Sequence, residues 1–355
     1  MRAELFVKDA ASLLSSARLL FHVGATGINL PNKAKTDLPV AALQTLAGAL
    51  APSQMAEVCP HYSLKFNAER SADVALSRFE TFCEHVQRLG VRRVLLVSGS
   101  GSRKFDTVAC LTAMTLPSER CPRIGVAFNP YLPTCDGREK ERERLRQKLA
   151  TGRVSSVWLQ IGSDQGLLAE GLSFLRSIAS ERGQELELHG SVFLPSKLLL
   201  AQMKFRQWNG VFLSDEYLSS VEAAEAISLQ VLGLYRAHNV QVLIETAIRT
   251  PAEWQRAECL VHGSSDRESP HDLTPLPPRD IISRGAESSG GGLVNYLRTE
   301  SPPSSTAADY GRASGGDHGA GGARVTTSKR RRPLPTTAPE ASSTHPACRG
   351  KLASS

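Results

Sequence analysis

The stretch LGVRRVLLVSGS, residues 89–100, carries the transition that decides the fold. Gly90 stands where a helix stops, Val94–Ser98 is an apolar run too short for a buried helix, and small polar residues follow at once. The same order recurs on both sides of it. Short runs rich in Val, Ile, Leu or Phe lie at Leu19–Gly24, Val58–Leu64, Ile124–Asn129, Val157–Ile161, Leu186–Leu194 and Val240–Glu245. Between them the apolar residues switch to helical spacing: Phe79, Cys83 and Val86 over 71–89, Leu168, Leu172, Leu175 and Ala179, then Val221, Ala224, Ile227 and Val231. A further helix over 138–150, capped by Asp136 and closed by Gly152, is almost all charge, with Leu145 and Leu149 to hold it down. Alternation of this kind builds βαβ units on a parallel sheet, which means a doubly wound α/β fold or a (β/α)8 TIM-type barrel. Both put their chemistry at the carboxyl ends of strands. The polar residues there are His61 and Ser63, Ser98, Gly99 and Ser100, Asn129, and Gln160 with Asp164.

The chain has 355 residues, but its composition changes near Gly263. Residues 1–262 read as globular, close to the ~250 residues typical of a barrel. Residues 263–355 are dominated by Ser, Pro, Gly, Thr and charge, which bury too little apolar surface to offset the entropy of ordering them, so a disordered tail is expected. Net charge is +7, with part of the excess at Lys329–Arg332, and the globular part interleaves both signs. No nucleic-acid role is expected of it. The seven cysteines are scattered and form no CxxC pair, which points to a reducing, cytoplasmic setting without a disulfide framework or a metal site. No apolar run is long enough to span a membrane, so no membrane partner is expected. A homo-oligomer stays open.

Each candidate has a plain alternative. The glycines after Val97 let a backbone approach an anion closely, yet the loop fits neither GxxxxGK[ST] nor GxGxxG and reads equally as a flexible turn. His61 is either a hydrogen-bonded core residue or a catalyst. Gln160 places an amide inside an apolar run, where it needs either a neighbouring carbonyl or a ligand. Glu141, Leu145 and Lys148 share one face of the charged helix, which is either solvated surface or turned toward a site.

Taken together, residues 19–250 resemble the methylenetetrahydrofolate reductase family, flavin-dependent (β/α)8 barrels. PHYS at 60–63 is similar to the family's PHLT strand end, and the stretch 89–100 to its strand ending in LRGD. IGVAFNP at 124–130 with LRQKLATG at 145–152 resembles "vaaYPe…LkrKvdaGA". VWLQIGSD at 157–164 resembles "iTQ-x-FFD", and SVFLP at 191–195 the family's GILP strand. The order and spacing of these segments agree throughout.

The resemblance implies FAD as cofactor, NAD(P)H as reductant and 5,10-methylenetetrahydrofolate as substrate, within one-carbon and methionine metabolism. His61, Ser63, Glu141 and Lys148 match FAD-contacting positions, Lys148 near the phosphates, and Gln160 matches the glutamine used on the pterin. Thr26 falls near where the second strand meets the flavin, and Ser98, Gly99, Ser100 and Asn129 border the same pocket. Ser100 stands where the family has its flavin-side aspartate, Ser98 where it has Arg, and Asn129 where it has Tyr. The first strand, with its catalytic glutamate, is expected to be missing or reshaped. Leu19–Gly24 fits the second strand, and Ala3-Glu-Leu-Phe6 is a faint counterpart of the first. These departures leave two functions open, a reductase or a catalytically impaired relative that binds FAD or folate or serves as a scaffold. On composition, limited proteolysis should leave a resistant core of ~260 residues; a protease-resistant C-terminal third would contradict the tail assignment.

Overall fold

The protein's structure, a computed structural model, describes residues 1–5, 9–34, 39–67, 69, 71–99 and 105–263. In chain order the elements are β1 (Arg2–Glu4), α1 (Ala10–His22), β2 (Gly27–Leu30), α2 (Pro39–Ala47), α3 (Pro52–Ala56), β3 (Val58–Ser63), α4 (Ala72–Arg88) and β4 (Arg93–Val97). They continue with α5 (Thr107–Ala113), β5 (Arg123–Phe128), α6 (Cys135–Ala150), β6 (Val154–Leu159), α7 (Gln165–Arg182) and β7 (Glu187–Val192). The last are α8 (Lys197–Phe205), α9 (Asp215–Ser219), α10 (Val221–Ala237), β8 (Gln241–Ile244) and α11 (Pro251–His262). All eight strands are parallel and pair in sequence order, and β8 pairs back onto β1 to close a barrel. The α/β barrel read from the alternation is the fold observed. The tail expected over 263–355 lies outside the described residues, except for Gly263, which caps α11.

The start of the chain corrects the sequence reading. Leu19–Gly24 is not a strand; it is the end of α1 and its turn. Leu13, Ala17 and Leu20 are buried at helical spacing, and Asp9 caps the helix by accepting from the Ser12 amide at 2.7 Å. The run Leu19-Leu-Phe21 imitates a strand because the half-buried flanks of the helix, Leu19 and Phe21, are as apolar there as its buried face at Leu20. With α1 in this place, β2 moves on to Gly27 and β1 fits at Arg2–Glu4. The barrel therefore lacks no strand and has no open seam among its eight. A smaller correction concerns α6, whose cap is Thr134, accepting from the Gly137 amide at 3.1 Å, rather than Asp136. Gly90 and Gly152 follow α4 and α6 with φ of 86° and 70°, as expected of helix stops.

Alternate residues of each strand face outward to the helices. Val58, Val94, Leu96, Val126 and Val157 belong to that layer, in one cluster with Phe79, Leu145, Leu168 and Leu172. The inner wall is different. A small apolar plug of Cys59, Leu95, Trp158 and Leu243 fills the middle, and the His189 ring stacks on Trp158 at 3.8 Å. At the amino ends of the strands charges link around the floor: Arg93 with Glu57 (3.4 Å) and Glu187 (3.1 Å), and Arg123 with Glu187 (2.7 Å). Arg2, only 2% exposed, joins from β1. It donates to Asn29 Oδ1 (3.0 Å), the Ile28 carbonyl (3.3 Å), the Glu57 carbonyl (2.6 Å) and the Glu57 carboxylate (3.3 Å).

Gly27 makes room for that side chain. A Cβ at Gly27 would overlap the Arg2 guanidinium and stand 2.7 Å from the Glu57 carbonyl. Gly27→Ala should therefore destabilise the fold by about 1–3 kcal/mol through overpacking. An unchanged urea midpoint in that variant would remove Arg2 from the closure of the barrel.

Candidate functional site

At the carboxyl end of β1, Glu4 is 3% exposed on the inner wall, two residues above Arg2. Register places Arg2 beside Leu243 and Ala3 beside Ile244, so Glu4 comes next to Glu245, the residue that follows β8. On its other side Glu4 pairs in register with Asn29 of β2. Lys33, just beyond β2, forms an ion pair with Glu4 and lies over the Trp208 ring at 5.5 Å from its centroid. Burial, and then the charge of Glu245, push the Glu4 carboxyl up to about 8, and Lys33 only partly offsets them. The ion pair and the raised value pull in opposite directions, and burial dominates. Glu245 is raised too, by burial, against a hydrogen bond with Ser191 and the charge of Lys33.

His61 stands beside this group on β3. Its Nε2 is 3.0 Å from the Asn29 amide nitrogen. An amide N–H can only donate, so Nε2 accepts and the ring proton lies on Nδ1. Burial, with Lys33 and Arg2 nearby, lowers the imidazole to about 3, which keeps it neutral. Ser63 follows on the same strand. Its backbone N–H donates to Asn32 Oδ1 (3.1 Å), but its buried Oγ has no hydrogen-bond partner among the described residues. Next to that oxygen is Gly99, at φ 78°, where a Cβ would stand 3.3 Å from Ser63 Oγ and overlap Lys65. Ser98 has turned away to start α5, with its Oγ 2.7 Å from Thr107 Oγ1 and accepting from the Thr107 amide at 3.0 Å. Ser100 lies outside the described residues.

The charged helix α6 turns one face inward. Lys148 is 5% exposed and donates to the Ala127 carbonyl at 3.0 Å. Burial lowers its pKa, while Glu141 and Asp106 partly support the charge. Glu141 accepts from the Asn129 backbone N–H at 3.3 Å, so Asn129, Glu141 and Lys148 form one group at the end of β5. The Asn129 side-chain amide donates to the Gly210 carbonyl at 2.8 Å. Gln160 follows β6, with its side-chain oxygen accepting from the Ile161 amide at 2.9 Å and its amide nitrogen close to Gly210. The segment after α8 thus comes over the rim between β5 and β6, and Trp208 packs edge-on against Phe193 at 5.5 Å.

Two expected residues fall elsewhere. Thr26 precedes β2 and lies at the amino end of the barrel, where its Oγ1 donates to the Met1 carbonyl at 3.0 Å; it moved out of the site when β2 shifted. Asp164 caps α7 by accepting from the Leu167 amide at 2.9 Å. The sequence reading missed Glu4, Lys33, Asn29 and Glu245 as site residues. Two signals were available: Glu245 as a carboxylate ending an apolar strand run, and Glu4 within Ala3-Glu-Leu-Phe6, the faint counterpart of the first strand.

The chemistry of the donor set fits a phosphorylated, hydroxylated cofactor such as FAD. Lys148 holds a buried ammonium with three N–H donors, one of which goes to the Ala127 carbonyl among the described residues. Ser63 Oγ is buried without a partner beside a glycine turn that leaves backbone room. No known family model matches the chain, and no curated protein sequence matches it.

Because the folded chain keeps the Glu4 proton up to about pH 8, while an unfolded glutamate releases it near 4.5, this group's stabilising share is full below pH 4.5 and is lost as the pH rises toward 8. Glu4→Gln removes that slope. Urea midpoints of the variant relative to the unaltered protein should climb progressively across pH 4.5–8 and then level off. A constant difference across the window would exclude a raised Glu4.

Proposed function

We propose that the barrel mouth is the site of a flavin-dependent reductase of the methylenetetrahydrofolate reductase type, acting on 5,10-methylenetetrahydrofolate with NAD(P)H as reductant. The observation that carries this reading is Glu4: a carboxyl group held in its acid form at neutral pH, at the carboxyl end of the first strand. That is the strand on which the resembled family carries its catalytic glutamate. When bound, FAD would supply the relay of hydride from NAD(P)H to the folate.

Lys148 would hold the cofactor's phosphates, and Glu141 would accept from its hydroxyls two helical turns earlier on the same face. Ser63 Oγ and the Gly99 turn would border it from β3 and β4. Gln160 would meet the pterin edge, donating and accepting at once. Glu4 would give its proton to the folate nitrogen, so that the methylene bridge opens and can accept hydride. His61, neutral and fixed by Asn29, would orient without competing for that proton. A second reading, a relative that binds flavin or folate without turnover, is favoured by Gly210, whose carbonyl already takes the Asn129 amide beside Gln160.

The test begins with colour. Purified protein reconstituted with FAD should be yellow and bleach with NAD(P)H. Glu4→Gln should keep both properties and slow reoxidation by methylenetetrahydrofolate by ~10²–10⁴-fold, the usual share of general acid catalysis. Bleaching with no folate-dependent reoxidation in the unaltered protein would establish the second reading, and failure to take up FAD would end the flavin assignment.

A further inference from the structure

We propose that Glu4 and Glu245 act as one carboxyl pair that holds a single proton, with Lys33 as its counter-charge, and that Glu245 is a positioning residue that adds to burial in keeping Glu4 an acid. The geometry is that of adjacent parallel strands. Arg2 and Ala3 register with Leu243 and Ile244, and register partners in a parallel pair point the same way. Leu243 belongs to the plug inside the barrel, so Glu245, two residues on, points inward beside Glu4. Two carboxyl groups set side by side on adjacent strands, with Glu4 buried, resist ionising together.

The charges facing the pair come from every neighbouring element. Lys33 approaches from beyond β2 and contacts Glu4 directly. Asn29 on β2 is spent on Arg2 and His61. His61 on β3 is neutral, and Arg2 below on β1 is bound to Asn29 and Glu57. Ser191 on β7 reaches Glu245, and Tyr235 of α10 donates to the Ser191 carbonyl at 3.3 Å, with its phenol kept neutral by burial. Among the described residues, one cation therefore faces two carboxyl groups, and one proton between them makes the cluster neutral. The burial of Glu4 and the raised affinity of each group for protons agree with that count. The shared proton is a property of the barrel itself; its use as the acid of a reduction rests on the function proposed above.

The experiment is a pH titration of protonated-carboxyl infrared absorbance on the full chain, without flavin or folate. The unaltered protein should keep one buried protonated carboxyl at pH 7 that is lost near pH 8, and Glu4→Gln should abolish that transition. Glu245→Gln should move the midpoint to lower pH by about one pH unit or more, a tenfold fall in proton affinity, while Glu245→Asp should keep it near its original place. Lys33→Met should move it the other way and serves if Glu245→Gln does not fold. A midpoint that ignores both Glu245 and Lys33, or two carboxylates already ionised at pH 7, would overturn the pair. Because no cofactor takes part, a positive titration in a protein that binds no FAD would sink the reductase reading and leave the pair standing.

Discussion

The closure of the barrel depends on one buried guanidinium. A strand of three residues, β1, has to pair on both sides, and backbone bonds alone hold it by very little. Arg2 ties it down by reaching across β2 to the backbone and carboxylate of Glu57. Taking that charge out of water costs several kcal/mol, and charge-assisted hydrogen bonds return about 1.5–3 kcal/mol each. With two carbonyls, a carboxamide and a carboxylate as partners, the terms nearly cancel. The gain is in placement: the side chain fits only while β1 sits in this register, and Gly27 is the gap through which it passes.

Register fixed at the floor determines what happens at the mouth. Arg2 and Glu4 are two residues apart on a strand, so anchoring one inward aims the other inward as well. The two ends then differ by what surrounds each charge. At the floor, Arg93, Arg123, Glu57 and Glu187 are partly solvated and alternate in sign, so that each charge has an opposite neighbour. At the mouth, among the described residues, the two acids Glu4 and Glu245 meet one lysine, Lys33. Structural pairing belongs at the amino end of a barrel and an unbalanced cluster at the carboxyl end, which is where barrel enzymes place their reacting groups.

The legible part of this chain was whatever repeats. Six of the seven apolar runs are β3–β8, and α4, α6, α7 and α10 follow the helical spacing read for them. The part that was not legible is the part without a period. Three residues of β1 are too few to alternate, and their inward pair, Arg2 and Glu4, is charged, so hydropathy argues against a strand where the structure has one. Leu19-Leu-Phe21 argues for a strand where the structure has a helix. One error produced the other: once the second strand was placed too early, no room was left for the first, and Thr26 was carried to the wrong end of the barrel. Lys33 and Asn29 were out of reach for the same reason.

The charged face of α6 shows how far a pattern can be pressed. On sequence, Glu141 and Lys148 could belong to a solvated surface as readily as to a site. Arg142, Arg146, Glu139 and Glu143 do form such a surface, with ion pairs among exposed side chains. Lys148 differs because it shares its face with Leu145, and both are buried against the sheet. A lysine held there as an ordinary core residue would be a net loss, since a single carbonyl does not compensate a desolvated ammonium. Its burial makes physical sense if a further anion completes its contacts, and the carboxylates near it among the described residues, Glu141 and Asp106, are already engaged with Asn129, Arg144 and the amide of Ala109. The helix is thus polar on its outside and polar at one buried inner position, and hydropathy reads the two as the same.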